Sequence, residues 1–176
     1  WLGTAAMTKG EEVIAFIETY CRVPEGAHVG HRVALLPFQR DIILGIYDIA
    51  PPPRRVIVSM GRKNAKSCLT AMLLLAAVAG PAFRPNAQVY SSAQSRDQAA
   101  IIFGYAAKMV RMDEDLSRAV HVKDTAKELI GLRTGVHYKA LSADATTAHG
   151  TSPALVIHDE TGRVRGPRSE LYDALE

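Results

Sequence analysis

Residues 56–77 read VIVSMGRKNAKSCLTAMLLLAA. A β-branched run, Val56 to Val58, stops at a short basic loop, and from Lys66-Ser67 onward apolar residues follow a helical pattern. Strand, loop and helix in this order form the layout of a phosphate-binding loop. There, successive backbone N–H groups point inward, a lysine reaches the outer phosphates, and a hydroxyl serves Mg²⁺. The usual pattern is a glycine, a short spacer, then Gly-Lys-Ser/Thr. Aligned on Lys66 and Ser67, the chain has Met60 at the first glycine position and Ala65 at the second, with Gly61 one place late. Alanine replaces the second glycine if that residue keeps negative φ, or if the loop distorts slightly. Between Gly61 and Ala65 lie Arg62, Lys63 and Asn64, and the two cations add charge where phosphates would lie. The plain alternative is a strand, a turn and a buried helix that happens to open with Lys-Ser.

The rest of the chain bounds the choice. Its 176 residues suit one domain with a sizeable core. With 48% apolar and 22% charged residues, the composition is that of an ordinary soluble globular protein. A formal charge of +3 does not by itself point to nucleic acid, because a basic stripe matters more than the sum. Cys21 and Cys68 lack metal-ligand spacing and read as reduced thiols of a cytosolic protein. The longest apolar run, around AMLLLAAVAG, is too short to span a bilayer and reads as a core helix. The opening residues, WLGTAAMTKGEEV, lack the order of a secretory signal, and their lack of an initiating Met is expected of a fragment.

Two helices are expected before residue 53. GEEVIAFIETYCR (10–22) puts Val13, Ile14, Ile17 and Tyr20 on one face, and PFQRDIILGIYDIA (37–50) starts at Pro37 with a stripe through Ile42, Ile43, Ile46 and Ile49. Pro51, Pro52 and Pro53 then divide a helical portion, 1–53, from an α/β core, 54–176. In that core a strand at Val56–Met60, a helix at Lys66–Ala79, a strand at Gln88–Ser92 and a helix at Asp97–Met112 alternate. Such alternation implies parallel strands joined by crossover helices. KELIGLRTGVHYKALS (127–142) reads as a hairpin around Thr134-Gly135, and PALVIHDE (153–160) as a short buried strand ending in two acids.

That acidic end is the natural second half of an ATPase site. Asp159 would reach Mg²⁺ through water, and Glu160 would orient or deprotonate the attacking water. Taken alone, an acidic pair after a strand also suits a solvated turn. The loop and the acids demand each other in this order, separated by at least one βα unit.

SMGRKNAKS, YSSAQSRDQAAIIF, LSADATTAHGTSPALVIHDE and the upstream LLPFQRDII together resemble the ATPase domain of large terminase subunits from tailed bacteriophages, which are DNA-packaging motors. The resemblance runs from about Leu35 to Glu176. Members typically carry a deviant phosphate loop with an arginine in it, which Arg62 matches; Ala65 departs from the more usual Gly-Lys-Ser. The resemblance implies a P-loop NTPase of the additional-strand, catalytic-glutamate class, with a mostly parallel sheet and flanking helices. It also implies ATP and Mg²⁺ as ligands, with Lys66 and Ser67 on the phosphates and metal, Asp159 as metal partner and Glu160 as base. Gln39 would be the glutamine that recognises adenine; without the resemblance it reads as a solvent-facing helix residue. Implied partners are double-stranded DNA, further copies in a ring, a portal protein and a small terminase subunit, with no membrane. The implied location is the host cytoplasm, transiently at the procapsid portal.

Multimeric ATPases place an arginine from a neighbouring subunit against the γ-phosphate. Arg96 fits that role or phosphate sensing, with Arg62 and Arg133 as rivals, and a pairing with Asp97 is the simpler alternative for Arg96. Arg163, Arg165 and Arg168 would face DNA phosphates, a neighbouring subunit or solvent. His158 reads as structural and Asp144 as a turn residue. Rival functions are another P-loop ATPase, such as a helicase or DNA remodeller, and a non-catalytic α/β interaction domain. The nuclease domain and the strand between the phosphate-loop strand and the acid strand are expected beyond Glu176. The segment alone is therefore expected to hydrolyse ATP poorly.

Overall fold

Thr8 opens the first helix by exchanging caps with Glu11. Its N–H donates to Glu11 Oε2 at 2.7 Å, and the Glu11 N–H donates to Thr8 Oγ1 at 3.2 Å. This helix, α1 (Lys9–Tyr20), buries Val13, Ile14 and Ile17, the face its spacing predicts. The computed structural model describes residues 6–61, 64–93, 96–142 and 153–158. The second helix, α2 (Pro37–Tyr47), lies against α1, and Asp48 just past its end accepts from Thr8 Oγ1 and the Gly10 N–H, both at 2.7 Å. Gly10 permits this approach: a Cβ there would meet Asp48 Oδ2 at 2.8 Å and Leu44 at 2.9 Å. Because the helix stops at Tyr47, Ile49 does not join the expected stripe and is 56% exposed.

The third helix, α3 (Lys66–Val78), is apolar all round and buried through Leu69, Ala71, Met72, Leu74, Leu75 and Val78. Burying one such leucine contributes about 1.5–3 kcal/mol, so this helix is the axis of the core. It packs against α1 on one side and against α4 (Arg96–Met112) on another. Between α3 and α4 runs β1 (Gln88–Ala93).

After α4 come two elements the sequence reading did not anticipate, α5 (Glu114–Ala119) and β2 (Val120–Lys123). Their signals are short but present. Asp113 caps α5 by accepting from the Asp115 and Leu116 N–H groups, and its other oxygen takes Arg22 at 2.9 Å. The expected hairpin follows as β3 (Glu128–Gly131) and β4 (His137–Ser142), and the last described strand is β5 (Leu155–His158).

The sheet order is β2-β3-β4-β1-β5. It is mixed: β1 pairs in parallel with β4 and β5, while β2–β3 and β3–β4 are antiparallel. Val89, Leu129 and Tyr138 are cross-strand neighbours that enter the same buried cluster as α3 and α4. On β3, Glu128 takes His137 at 3.2 Å and Lys139 at 3.4 Å. Burial alone would raise that carboxyl's pKa, but the hydrogen bonds and charges of His137 and Lys139 outweigh burial and hold it below the usual carboxylate range.

Residues Val56–Met60 correct the sequence reading. They form no strand, and Val56 and Ile57 are 46% and 84% exposed. β-branched composition favours a strand, but a strand exists only where a neighbour completes its hydrogen-bond ladder. Among the described residues no segment does so, and none flanks β5 on its outer side.

Candidate active site

The start of α3 is fixed from its far end. Thr134 Oγ1 donates to the Val78 carbonyl at 2.6 Å, and Gly131 lies so close that an added Cβ would come within 2.4 Å of the same oxygen. Thr134 belongs to the β3–β4 turn, where the Asn86 N–H donates to the Thr134 carbonyl and the His137 N–H to the Ala87 carbonyl, both at 2.9 Å. That is the edge at which β1 and β4 begin. A helix of 13 residues rises about 20 Å, close to the length of a six-residue strand. Because α3 also packs along α4, which opens just past the end of β1, it runs back across the sheet. Its N-terminus, with Lys66 and Ser67, therefore faces the carboxyl edge of the parallel strands. Open α/β sheets bind ligands at that edge.

β5 ends on the same edge at His158, immediately before Asp159 and Glu160 in sequence. His158 Nδ1 lies 2.6 Å from Ser92 Oγ near the end of β1. Arg96 opens α4 there too. Arg133, in contrast, is exposed in the β3–β4 turn at the opposite edge. Arg62, Lys63, Asp144, Asp159, Glu160, Arg163, Arg165 and Arg168 lie outside the described residues.

The loop enters α3 through a conformation the sequence reading did not expect. Ala65 has φ 54° and ψ 28°, the left-handed region, so of the two alternatives open to it, a negative φ or a slightly distorted loop, the first is overturned. The helix axis is set by burial on all sides, and the chain must turn sharply to join it. Asn64 Nδ2 tightens that turn by donating to the Gly61 carbonyl at 3.1 Å. The backbone thus keeps the shape that glycine supplies in the usual pattern, and alanine bears the strain.

Left-handed alanine costs roughly 1–2 kcal/mol. The freer unfolded chain of glycine takes back roughly 0.4–1 kcal/mol. Ala65→Gly is therefore expected to raise the unfolding free energy by on the order of 0.5–1 kcal/mol in a denaturant titration. A loss of stability would contradict the left-handed entry.

Ala65 offers α3 no side-chain cap, unlike Thr8 for α1 and Asp113 for α5. A helix N-terminus carries partial positive charge and receives anions. Beside the Lys66 ammonium and the Ser67 hydroxyl, that donor set fits phosphate and a hard cation bound to it. One residue on, burial foremost and then the charge of Glu25 push the Cys68 thiol up to about 11. Cys21, deeper in the core, is pushed up to about 12, chiefly by burial. Both are free thiols.

Gln39 is not solvent-facing. It is 6% exposed, and its Oε1 accepts from the Leu36 N–H at 3.0 Å, closing the first turn of α2. Next to it, a cleft of about 400 Å³ opens between α2 and residues 56–60, walled by Phe38, Ile42, Ile46, Val56, Ile57 and Met60. The wall is apolar and unsuited to phosphate, so the cleft is distinct from the Lys66–Ser67 position.

Residues 50–175 match the family model described as the terminase large subunit, ATPase domain. The chain is 50% identical over 169 residues to the large terminase subunit of Enterobacteria phage HK97, covering 96% of this chain and 34% of that protein. It superposes on the crystal structure of the HK97 bacteriophage large terminase with a TM-score of 0.88 and 49% identity, again over 96% of this chain and 34% of that one. The chain thus spans about a third of the length of these relatives. No described helix is long and apolar enough to cross a membrane. On sequence and fold together, the chain belongs to the terminase large subunit ATPase domain family.

Proposed function

We propose that this domain hydrolyses Mg·ATP to drive double-stranded DNA into a procapsid. One observation carries the reading. The buried helix α3 is entered through left-handed Ala65 and directs Lys66 and Ser67 to the sheet edge at which β5 ends in His158, the residue that Asp159 and Glu160 follow in sequence. Lys66 donates to the outer phosphate oxygens, and the loop residues Gly61 to Ala65 wrap them. Ser67 and Asp159 hold Mg²⁺, which when bound neutralises charge between the phosphates. Glu160 orients the attacking water and accepts its proton. Gln39 presents its amide to adenine, its acceptor being engaged by Leu36. Arg96 supports the γ-phosphate at the same edge or that of a neighbouring subunit.

Further copies would complete a ring, and a portal protein and a small terminase subunit would dock on it. DNA is held through phosphates, since a packaging motor must accept every sequence. In a subunit of the relatives' full length, duplex DNA of unrelated sequences is expected to stimulate ATP turnover equally. The stimulation should fall steeply with added salt. Stimulation by single strands alone, or by one sequence alone, would favour a helicase or a site-specific remodeller instead.

A further inference from the structure

β1 carries two adjacent serines, Ser91 and Ser92, where a central strand ordinarily carries β-branched residues. Both are buried, at 1% and 5% exposure, and successive residues point to opposite faces. On one face Ser91 bonds the Tyr138 hydroxyl at 2.7 Å, tying β1 to β4. On the other, Ser92 Oγ meets His158 Nδ1 at 2.6 Å, tying β1 to β5. Ser92 and His158 are also the last register pair of that parallel ladder. β5 has only four residues and, among the described residues, one neighbouring strand. The end of a short edge strand is where a ladder frays first, and here that end directly precedes Asp159-Glu160.

We propose that the Ser92–His158 hydrogen bond is a positioning device that holds the end of β5, so that the two acids are presented at a fixed place. His158 touches neither nucleotide nor water in this account; it is a positioning residue acting through the backbone it anchors. The proposal rests on the reading of Asp159 and Glu160 as the catalytic acids. It goes beyond that reading by giving a partner strand a share in their geometry.

The test uses steady-state turnover of a subunit of the relatives' full length. His158→Ala and Ser92→Ala are each expected to lower kcat about tenfold, the scale of one hydrogen bond, with KM for Mg·ATP within twofold of the parent. The double variant should be no slower than either single one, because both remove the same bond. His158→Asn, whose amide occupies the place of Nδ1, should recover most of the rate. His158→Gln, which extends toward the place of Nε2, should not. A merely packed histidine would not distinguish these two amides.

Unchanged kcat in Ser92→Ala, additive losses, or equal recovery by Asn and Gln would overturn the proposal. Ser92→Ala removes a single hydroxyl and keeps the test valid if His158→Ala fails to fold. Glu160→Gln is measured alongside. If that variant retains turnover, the reading of the acids fails and the positioning role with it. If it is inactive while both alanine variants match the parent, only the positioning role fails.

Discussion

Glu160→Gln is expected to lower ATP turnover by roughly 10²–10⁴-fold, the range that general-base catalysis supplies. The substitution keeps the size and shape of the side chain and removes both its negative charge and its basicity. Glu160 follows His158 by two positions in sequence, and His158 ends β5 at the sheet edge toward which α3 points its N-terminus. Because the proposed role concerns the attacking water rather than the phosphates, Mg·ATP affinity should stay within a few-fold of the parent. The measurement is phosphate release under saturating nucleotide, paired with an equilibrium titration using a labelled ATP analogue. Parental turnover in this variant would move the base elsewhere. Lost affinity with normal turnover would assign the residue to binding.

Lys66→Ala has the opposite signature. Removing one charge-assisted donor from a phosphate clamp costs roughly 10²–10³-fold, and here the donor is used in the ground state as well. The dissociation constant for Mg·ATP should therefore rise by about that factor. Lys66→Arg should not restore it. A guanidinium is a planar, delocalised fork and does not reproduce the compact point charge that lysine carries at the first helical position. Unchanged affinity in Lys66→Ala would show that phosphates bind away from the α3 N-terminus.

Periodicity made much of this fold legible. The apolar face of α1, the all-apolar α3, the β1–α4 unit and the hairpin β3–β4 each carry a local pattern that burial rewards. What escaped the sequence depends on partners instead. Val56–Met60 has strand composition but no described neighbour to pair with, so Val56 and Ile57 stand exposed. The sign of φ at Ala65 is set by where a buried helix must begin, and the intrinsic preference of alanine yields to it. Gln39 is polar on a surface helix, yet its side chain turns inward to close that helix's own first turn. The short α5–β2 segment has only Asp113 and an alternating VHVK to announce it.

The candidate site was legible as chemistry before it was legible as geometry. Lys-Ser after a β-branched run and Asp-Glu after another are residue types any phosphoryl-transfer site needs. Only the Thr134 anchor at the far end of α3 and the parallel β1–β5 pairing bring the Lys66 end of α3 and the His158 end of β5, which the acids follow in sequence, to one edge. The Ser92–His158 bond had no sequence signature beyond two serines in a central strand.

The proposed hydrolysis requires Lys66, Ser67, Asp159 and Glu160 to surround one nucleotide. The most direct measurement is a structure with Mg²⁺ and a non-hydrolysable ATP analogue. It should show the Lys66 ammonium within about 3 Å of a terminal phosphate oxygen. The Ser67 hydroxyl should lie on the metal at about 2.1 Å, with Asp159 linked to that metal through water and Glu160 beside the γ-phosphate. A nucleotide seated elsewhere, or Asp159 and Glu160 directed away from the N-terminus of α3, would contradict it.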